Sequence, residues 1–274
     1  MSDHSEIATT VDWPDPILIG DVRVHPVLDG IMPMPPSVLY PDVPAELWRT
    51  IPADLTADGR LNVPFGGFLA IDSSGNTVLI DTGSGPTPSP LPDGSSPTRF
   101  GELPGVLDSL GVTVEHIDLV VLTHFHPDHI GWATADGAPF FPNAAYHVHE
   151  LEWASLGAEH EGREALQPIT SQLVVWSGEQ VTPLPWLSLH HAPGHSPGNT
   201  LVMVSDVEGG DELALVGDLF HHPAGLAHPH WRCGFDADAE AAARQRIQWA
   251  DRLRVAGTPV VSTHFPGMTP LVTY

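Results

Sequence analysis

Three histidines and an aspartate fall within six residues in the run Thr123-His124-Phe125-His126-Pro127-Asp128-His129. His124 and His126, two apart, can aim at one point from an extended or tightly looped backbone. Asp128 and His129 lie on the next turn and aim at a neighbouring point. Imidazoles suit zinc, iron and manganese, and a carboxylate helps to neutralise the cation. The chemistry offered is therefore divalent metal binding. The plain alternative is a histidine-rich solvated loop. It fits poorly, because the run follows HIDLVVLT, a short continuous apolar stretch with the pattern of a strand buried on both faces. Strand ends are where a rigid scaffold presents ligands to a cleft.

One short loop cannot close two sites, so partners are sought at other strand ends. His195 stands in APGHSPGN, a loop held bent by its prolines and glycines. Asp218 ends ALVGD, and His264 ends VVSTHF. Asp81 in VLIDTG is a fourth such acid; it reads as a structural group beside the site rather than a ligand. The chain holds 17 histidines. Of the remainder, His221 in GDLFHHP follows Asp218 closely enough to meet the site or its substrate. His147, His149, His190 and His191 read as strand residues, His228 and His230 as loop residues. His4, His25, His116 and His160 receive no functional reading.

The elements that must position these side chains can be read from apolar periodicity. Residues 17–30 alternate as one or two opening strands, and 62–83 form a hairpin about DSSG. Between them, 31–48 is rich in proline yet carries Met32, Met34, Leu39, Tyr40 and Trp48. Proline should interrupt regular structure there. The segment reads as a packed lid, as the apolar wall of a substrate pocket, or as a surface for a second copy of the chain. Met34, Trp48 and Trp132 are the expected pocket residues, with His221. The proline-rich stretch 85–101 reads as an irregular surface loop. A helix follows on Leu103, Val106, Leu107 and Leu110, ended by Gly111. The second half supplies one or two strands before His195, a hairpin about VEGG, a helix over 238–256 stopped by Gly257, and a final buried strand before His264. No linker divides the chain, so one α/β domain over residues 1–274 is expected, with two sheets flanked by helices.

Composition narrows the partners. There are 34 Asp and Glu against 10 basic residues, all arginine, for a formal charge of -24. Such a surface repels polyanions, which argues against nucleic acid and anionic membranes. No apolar run approaches the roughly 20 residues of a membrane helix, and residues 1–16 lack a basic and an apolar signal region. The expectation is a cytoplasmic protein. The single Cys233 can form neither an internal disulfide nor a cysteine-based zinc knuckle.

Taken together, HFHPDH over His124–His129, PGHSPG with His195, GD with Asp218 and the late strand-end His264 resemble the metallo-β-lactamase-fold hydrolase superfamily. They occur in the superfamily's order over most of the chain. The resemblance implies an αββα sandwich with two divalent ions, zinc foremost and manganese, cobalt or iron as alternatives, at the edge of its sheets. It implies that His124, His126 and His195 hold one ion, that Asp128, His129 and His264 hold the other, and that Asp218 bridges them. A hydroxide between the ions would attack the substrate, with Asp128 shuttling the proton to the leaving group. The departures refine the comparison. Asn199 stands where many members carry a further histidine. Cys233 does not end a strand as a cysteine ligand would, and Asp218 is unlike the all-histidine β-lactamases. The remainder is similar to the lactonase, arylesterase and methyl parathion hydrolase-like group. That implies a small neutral or weakly charged lactone, ester or organophosphate as substrate. The alternatives are a mononuclear iron dioxygenase of the same fold, which would dispense with Asp128, His129 and His264 as ligands, and a β-lactam hydrolase.

Overall fold

The computed structural model describes residues 15–48, 50, 55–87, 94–157 and 161–272. The opening segment to residue 14, His4, His160 and residues 88–93 of the proline-rich loop lie outside these. The strands are β1 (Ile17–Ile19), β2 (Val22–Met34), β3 (Leu61–Ile71), β4 (Thr77–Ile80), β5 (Leu119–Val121), β6 (Thr134–Ala135), β7 (Ala138–Pro139), β8 (Ala145–His149), β9 (Leu173–Trp176), β10 (Gln180–Leu184), β11 (Leu187–His191), β12 (Thr200–Ser205), β13 (Glu212–Leu215) and β14 (Val260–Val261). The helices are α1 (Pro36–Leu39), α2 (Ala45–Trp48), α3 (Leu103–Ser109), α4 (Pro127–Ile130), α5 (Glu150–Ser155), α6 (Glu161–Ala165), α7 (Pro223–Ala227) and α8 (Ala239–Ala256).

Two mixed sheets form the centre. One has the order β1-β2-β3-β4-β5-β8-β9, the other β10-β11-β12-β13-β14, and β6-β7 is a small separate ribbon. Side-chain alternation explains the layering. Val78, Ile80, Leu119 and Val121 from the first sheet meet Leu187, Leu189, Val202, Val204 and Leu215 from the second. The intervening residues of the same strands point the other way. Leu79 and Val120 pack under Leu103, Val106 and Leu107 of α3. Leu201 and Met203 pack under Trp249 and Leu253 of α8. The result is the expected αββα sandwich. Continuous apolar runs occur in β4, β5 and β14, which pair in parallel and are buried throughout.

Local rules set several boundaries. Asp238 caps α8 by accepting the Ala241 N–H at 2.9 Å. Gly257 closes that helix in the left-handed conformation at φ 70°. One expectation needs correcting: β2 does not stop at the prolines but runs to Met34. Ile31 donates its N–H to Arg99 O at 3.0 Å, on the side away from β3. Pro33, two residues on, faces the same way, so its missing N–H costs the β2-β3 ladder nothing. The pairing also slips between Leu28 and Gly30. This bulge turns Asp29 inward, fully buried, where it accepts N–H groups from Ser84, Gly85 and Leu103 and from the Trp132 indole.

Candidate metal centre

Every sequence-predicted ligand stands just beyond a strand end on one edge of the sandwich. His124 to His129 follow β5, His195 follows β11, Asp218 follows β13 and His264 follows β14. The turn into the first loop is set by Asp81, a non-glycine residue at φ 61° immediately after β4. Its carboxylate accepts the Thr123 N–H at 2.8 Å and the Thr123 hydroxyl, and meets His129 Nδ1 at 2.8 Å. Thr123 in turn contacts His124 Nδ1 at 3.1 Å. His264 Nδ1 donates to the Pro64 carbonyl of β3 at 2.8 Å. These contacts fix the rings so that their Nε2 atoms face one another.

Asp218 is the centre of the cluster. Its Oδ2 lies 3.5 Å from His124 Nε2, 3.1 Å from His195 Nε2 and 3.0 Å from His221 Nε2. Its Oδ1 lies 3.2 Å from His129 Nε2 and 3.0 Å from His264 Nε2. Asp128 Oδ2 approaches the second pair, 3.8 Å from His129 and 3.7 Å from His264. His126 turns Nδ1 towards His195 Nε2 at 2.9 Å. The donor atoms of His124, His126, His195 and Asp218 all lie within 4.8 Å of one another, as do those of Asp128, His129 and His264. The same spacing joins Asp218, His221 and His264.

The donor chemistry fits a cation. Nε2 of His124, Nε2 of His129 and Oδ1 of Asp218 are buried without a hydrogen-bond partner among the described residues, although they converge. Such orphaned atoms are costly unless something else satisfies them. The imidazoles also cannot all take protons. Burial, then His195, pushes His126 down to about 4. Burial works against protonation of His195 too, but Asp218 and then Asp236 outweigh it and raise that ring to about 9. A divalent ion suits these rings better than a proton on each.

A second set of groups orients the first. Asp236 Oδ1 lies 3.5 Å from His195 Nδ1, and its side chain forms a fully buried pair with Arg246 of α8 at 3.0 Å. Glu152 of α5 accepts the Phe125 N–H at 2.9 Å and the Gly198 N–H at 2.8 Å. Asn199, expected to offer no ligand, donates its side-chain amide to the Ala192 carbonyl at 3.0 Å and braces the His195 loop. Glu152, Asp236, Arg246 and Asp29 carry no local signature. Only spatial neighbours distant in the chain reveal them.

A cavity of about 230 Å³ opens over the cluster. Met32, Met34, Leu39, Val63, Phe65 and Phe235 form its apolar wall, while His126, Asp128, Asp218, His221 and His264 reach it from the site. Met34 and His221, two of the expected pocket residues, line this cavity. Trp48 and Trp132 do not line it. Trp48 is 3% exposed and stacks on Tyr40 behind the wall. The Trp132 indole bonds Asp29 at 2.9 Å and its ring lies against Phe140. Within 31–48, Met32, Met34 and Leu39 thus line the cavity, while Tyr40 and Trp48 pack behind them. Cys233 is buried in the same cluster as Met34, with Sγ 3.8 Å from His221 Nε2. Among the remaining histidines, His149 and His191 stack with centroids 3.9 Å apart, and His190 meets Ser188 Oγ at 2.9 Å.

Known proteins supply an independent comparison. The family model described as the metallo-beta-lactamase superfamily matches residues 68–255. The structure is similar to that of a probable metal-dependent hydrolase from Staphylococcus aureus, with a TM-score of 0.79 and 21% identity over 91% of each chain. It is equally similar to the hydrolase AbOPH of the beta lactamase superfamily, TM-score 0.79 and 23% identity, covering 95% of this chain and 92% of that one. AidC, a dizinc quorum-quenching lactonase in complex with a product N-hexnoyl-L-homoserine, gives 0.77 and 23%, covering 92% and 90%. At this identity the likeness carries the fold. An uncharacterized protein of Caenorhabditis elegans, C03F11.2, is 28% identical over 117 residues, which span 42% of this chain and only 27% of that protein. With the model match covering more than half its length and the same sandwich in these structures, the chain belongs to the metallo-β-lactamase superfamily.

Proposed function

We propose that the protein is a binuclear metal-dependent hydrolase of small, neutral, largely apolar lactones, esters or organophosphates, built as one domain. The observation that supports it best is the position of Asp218, whose two oxygens face two separate groups of histidines. In this reading His124, His126 and His195 hold one divalent ion, Asp128, His129 and His264 hold the other, and Asp218 serves both, with zinc the first candidate. Such ions supply Lewis acidity towards a carbonyl or phosphoryl oxygen and lower the pKa of a bound water.

The chain's own groups supply the rest. The Met32–Met34–Phe65 wall excludes water and receives the apolar part of the substrate. His221 Nε2, beside Asp218 and facing the cavity, is placed to contact the substrate's polar atom. Asp128 has a side chain 37% exposed and borders the cavity, so its carboxylate can carry a proton to the leaving group. The net charge of -24 disfavours polyanionic substrates.

The test is metal analysis together with hydrolysis of lactones, aryl esters, phosphotriesters and a β-lactam. Two divalent ions per chain are expected. His126→Ala and Asp218→Ala should each lower turnover by roughly 1,000-fold or more, since metal assistance contributes several kcal/mol and each 1.36 kcal/mol is tenfold. One iron per chain with oxygen consumption would overturn the reading in favour of a dioxygenase.

A further inference from the structure

Glu152 is a carboxylate 3% exposed, lying outside the predicted ligand set. Burying a charge is costly unless hydrogen bonds compensate it, and here three do. Oε1 accepts the N–H of Phe125, the residue between His124 and His126, at 2.9 Å. Oε2 accepts the hydroxyl of Ser196, the residue after His195, at 2.6 Å, and the Gly198 N–H at 2.8 Å. The two loops follow β5 of one sheet and β11 of the other. One side chain thus joins them across the sandwich.

The surroundings hold that side chain in place. A Cβ on Gly198 would stand 2.3 Å from Glu152 N and 2.5 Å from its Cβ, so the glycine admits the helix against the loop. His149 begins α5 by accepting the Leu151 N–H at 3.2 Å. Its ring stacks on His191, which donates Nε2–H to the Pro197 carbonyl at 2.9 Å. The start of α5, β11 and the His195 loop are therefore tied to one another. Among the described residues Glu152 bonds the Phe125, Ser196 and Gly198 side of the centre, while Asp81 and the Pro64 carbonyl hold the rings of His129 and His264.

We propose that Glu152 is a positioning residue: it sets His124 and His126 against His195, and so tunes the affinity of that half of the centre for its divalent ion. The inference rests on the metal-centre reading above. Glutamine is the informative replacement. A carboxamide that accepts from Ser196 and Gly198 must turn its NH2 towards the Phe125 N–H, donor against donor, so one of the two loops loses its tie.

The experiment strips the purified full-length chain, reloads it with Zn²⁺ or Co²⁺, and measures both dissociation constants by competition with a chromophoric chelator. Glu152→Gln is expected to weaken one ion by about 10- to 100-fold, the usual range for a partner behind the ligands, and to leave the other unchanged. The weakened ion should be the one lost in His195→Ala and retained in His264→Ala. Ser196→Ala, which removes a single donor, should weaken the same ion less and keeps the test available if Glu152→Gln fails to fold. Unchanged affinities in the folded variant, or an equal loss at both sites, would overturn the proposal and leave Glu152 a merely structural acid. A wild-type chain that binds no divalent ion would instead overturn the metal-centre reading, and the inference with it.

Discussion

The two sides of Asp218 are built differently. On one side, His124 and His126 come from the first sheet and His195 from the second, so their mutual spacing depends on ties across the sandwich. Glu152 supplies one tie, and Asp236 with Arg246 supplies another from α8. On the other side, Asp128 and His129 follow β5 as His124 and His126 do, as neighbours on α4, and His264 likewise arrives from the second sheet, after β14. There the support is direct: Asp81 meets His129 Nδ1 at 2.8 Å and the Pro64 carbonyl accepts His264 Nδ1–H at 2.8 Å, against 3.5 Å between Asp236 and His195 Nδ1. Both sides draw on both sheets, but the second is held by direct contacts to its rings, whereas Glu152 braces the backbone of the two loops that carry the first. The first side should therefore depend more on buried acids brought in by α5 and by the loop that precedes α8.

The largest break in that comparison is Asp236→Ala. Arg246 has a side chain only 3% exposed, and removing its partner leaves a buried, uncompensated guanidinium. Losing one member of a buried pair costs about 3–5 kcal/mol. For a domain of this size that is a fall in Tm of about 10 °C, read by calorimetry or denaturant unfolding. Replacing both members by apolar residues, Asp236→Leu with Arg246→Met, should restore most of the stability. It should not restore the affinity of the His195 side, because the Asp236 carboxylate no longer faces His195 Nδ1. Recovery of both together would show that Asp236 acts on folding alone.

Asp81→Asn addresses the opposite side and should have the next largest effect. Ionised, Asp81 accepts from His129 Nδ1–H, which leaves Nε2 unprotonated and free to coordinate. An amide NH2 turned to the same ring demands that Nδ1 accept, which places the proton on Nε2. The expected result is a 10- to 100-fold loss of affinity at the Asp128–His129–His264 side, in the range usual for outer partners of a metal-binding histidine. Chelator competition on the purified variant measures it. Unchanged affinity on that side would mean that the ring is oriented by packing rather than by Asp81.

The asymmetry also marks what a single sequence can convey. Histidines placed directly after apolar runs were legible because strand burial has a local pattern, and so were Asp81 and the helix stop at Gly257. Glu152 and Asp236 were not. Glu152 sits in YHVHELEW, where it has the look of an ordinary helical acid, and its partners lie 27 to 46 residues away. Trp132 was misplaced for a related reason. Nearness to the ligand loop drew it towards the pocket, whereas its partly buried indole N–H finds an acceptor in the bulged Asp29, 103 residues earlier. Pro33 failed as a strand breaker because the ladder it would interrupt lies on its other side.

The smallest expected effect concerns Cys233, which lies near the first side of the centre. Its Sγ is 3.8 Å from His221 Nε2, a distance at which a cysteine invites comparison with a ligand. Burial, reinforced by the Asp236 charge, pushes its thiol far above the ordinary range, whereas coordination needs the thiolate. A neutral thiol in an apolar cluster with Met34 and Tyr40 acts as a small hydrophobe. On the binuclear reading proposed above, Cys233→Ala should leave both ions bound with wild-type affinity and lower stability by only about 1 kcal/mol, the scale of one lost buried group of this size. Loss of an ion in this variant would instead place a sulfur on the His195 side, and the contrast between the two sides would then lie in their ligands as well as in the ties behind them.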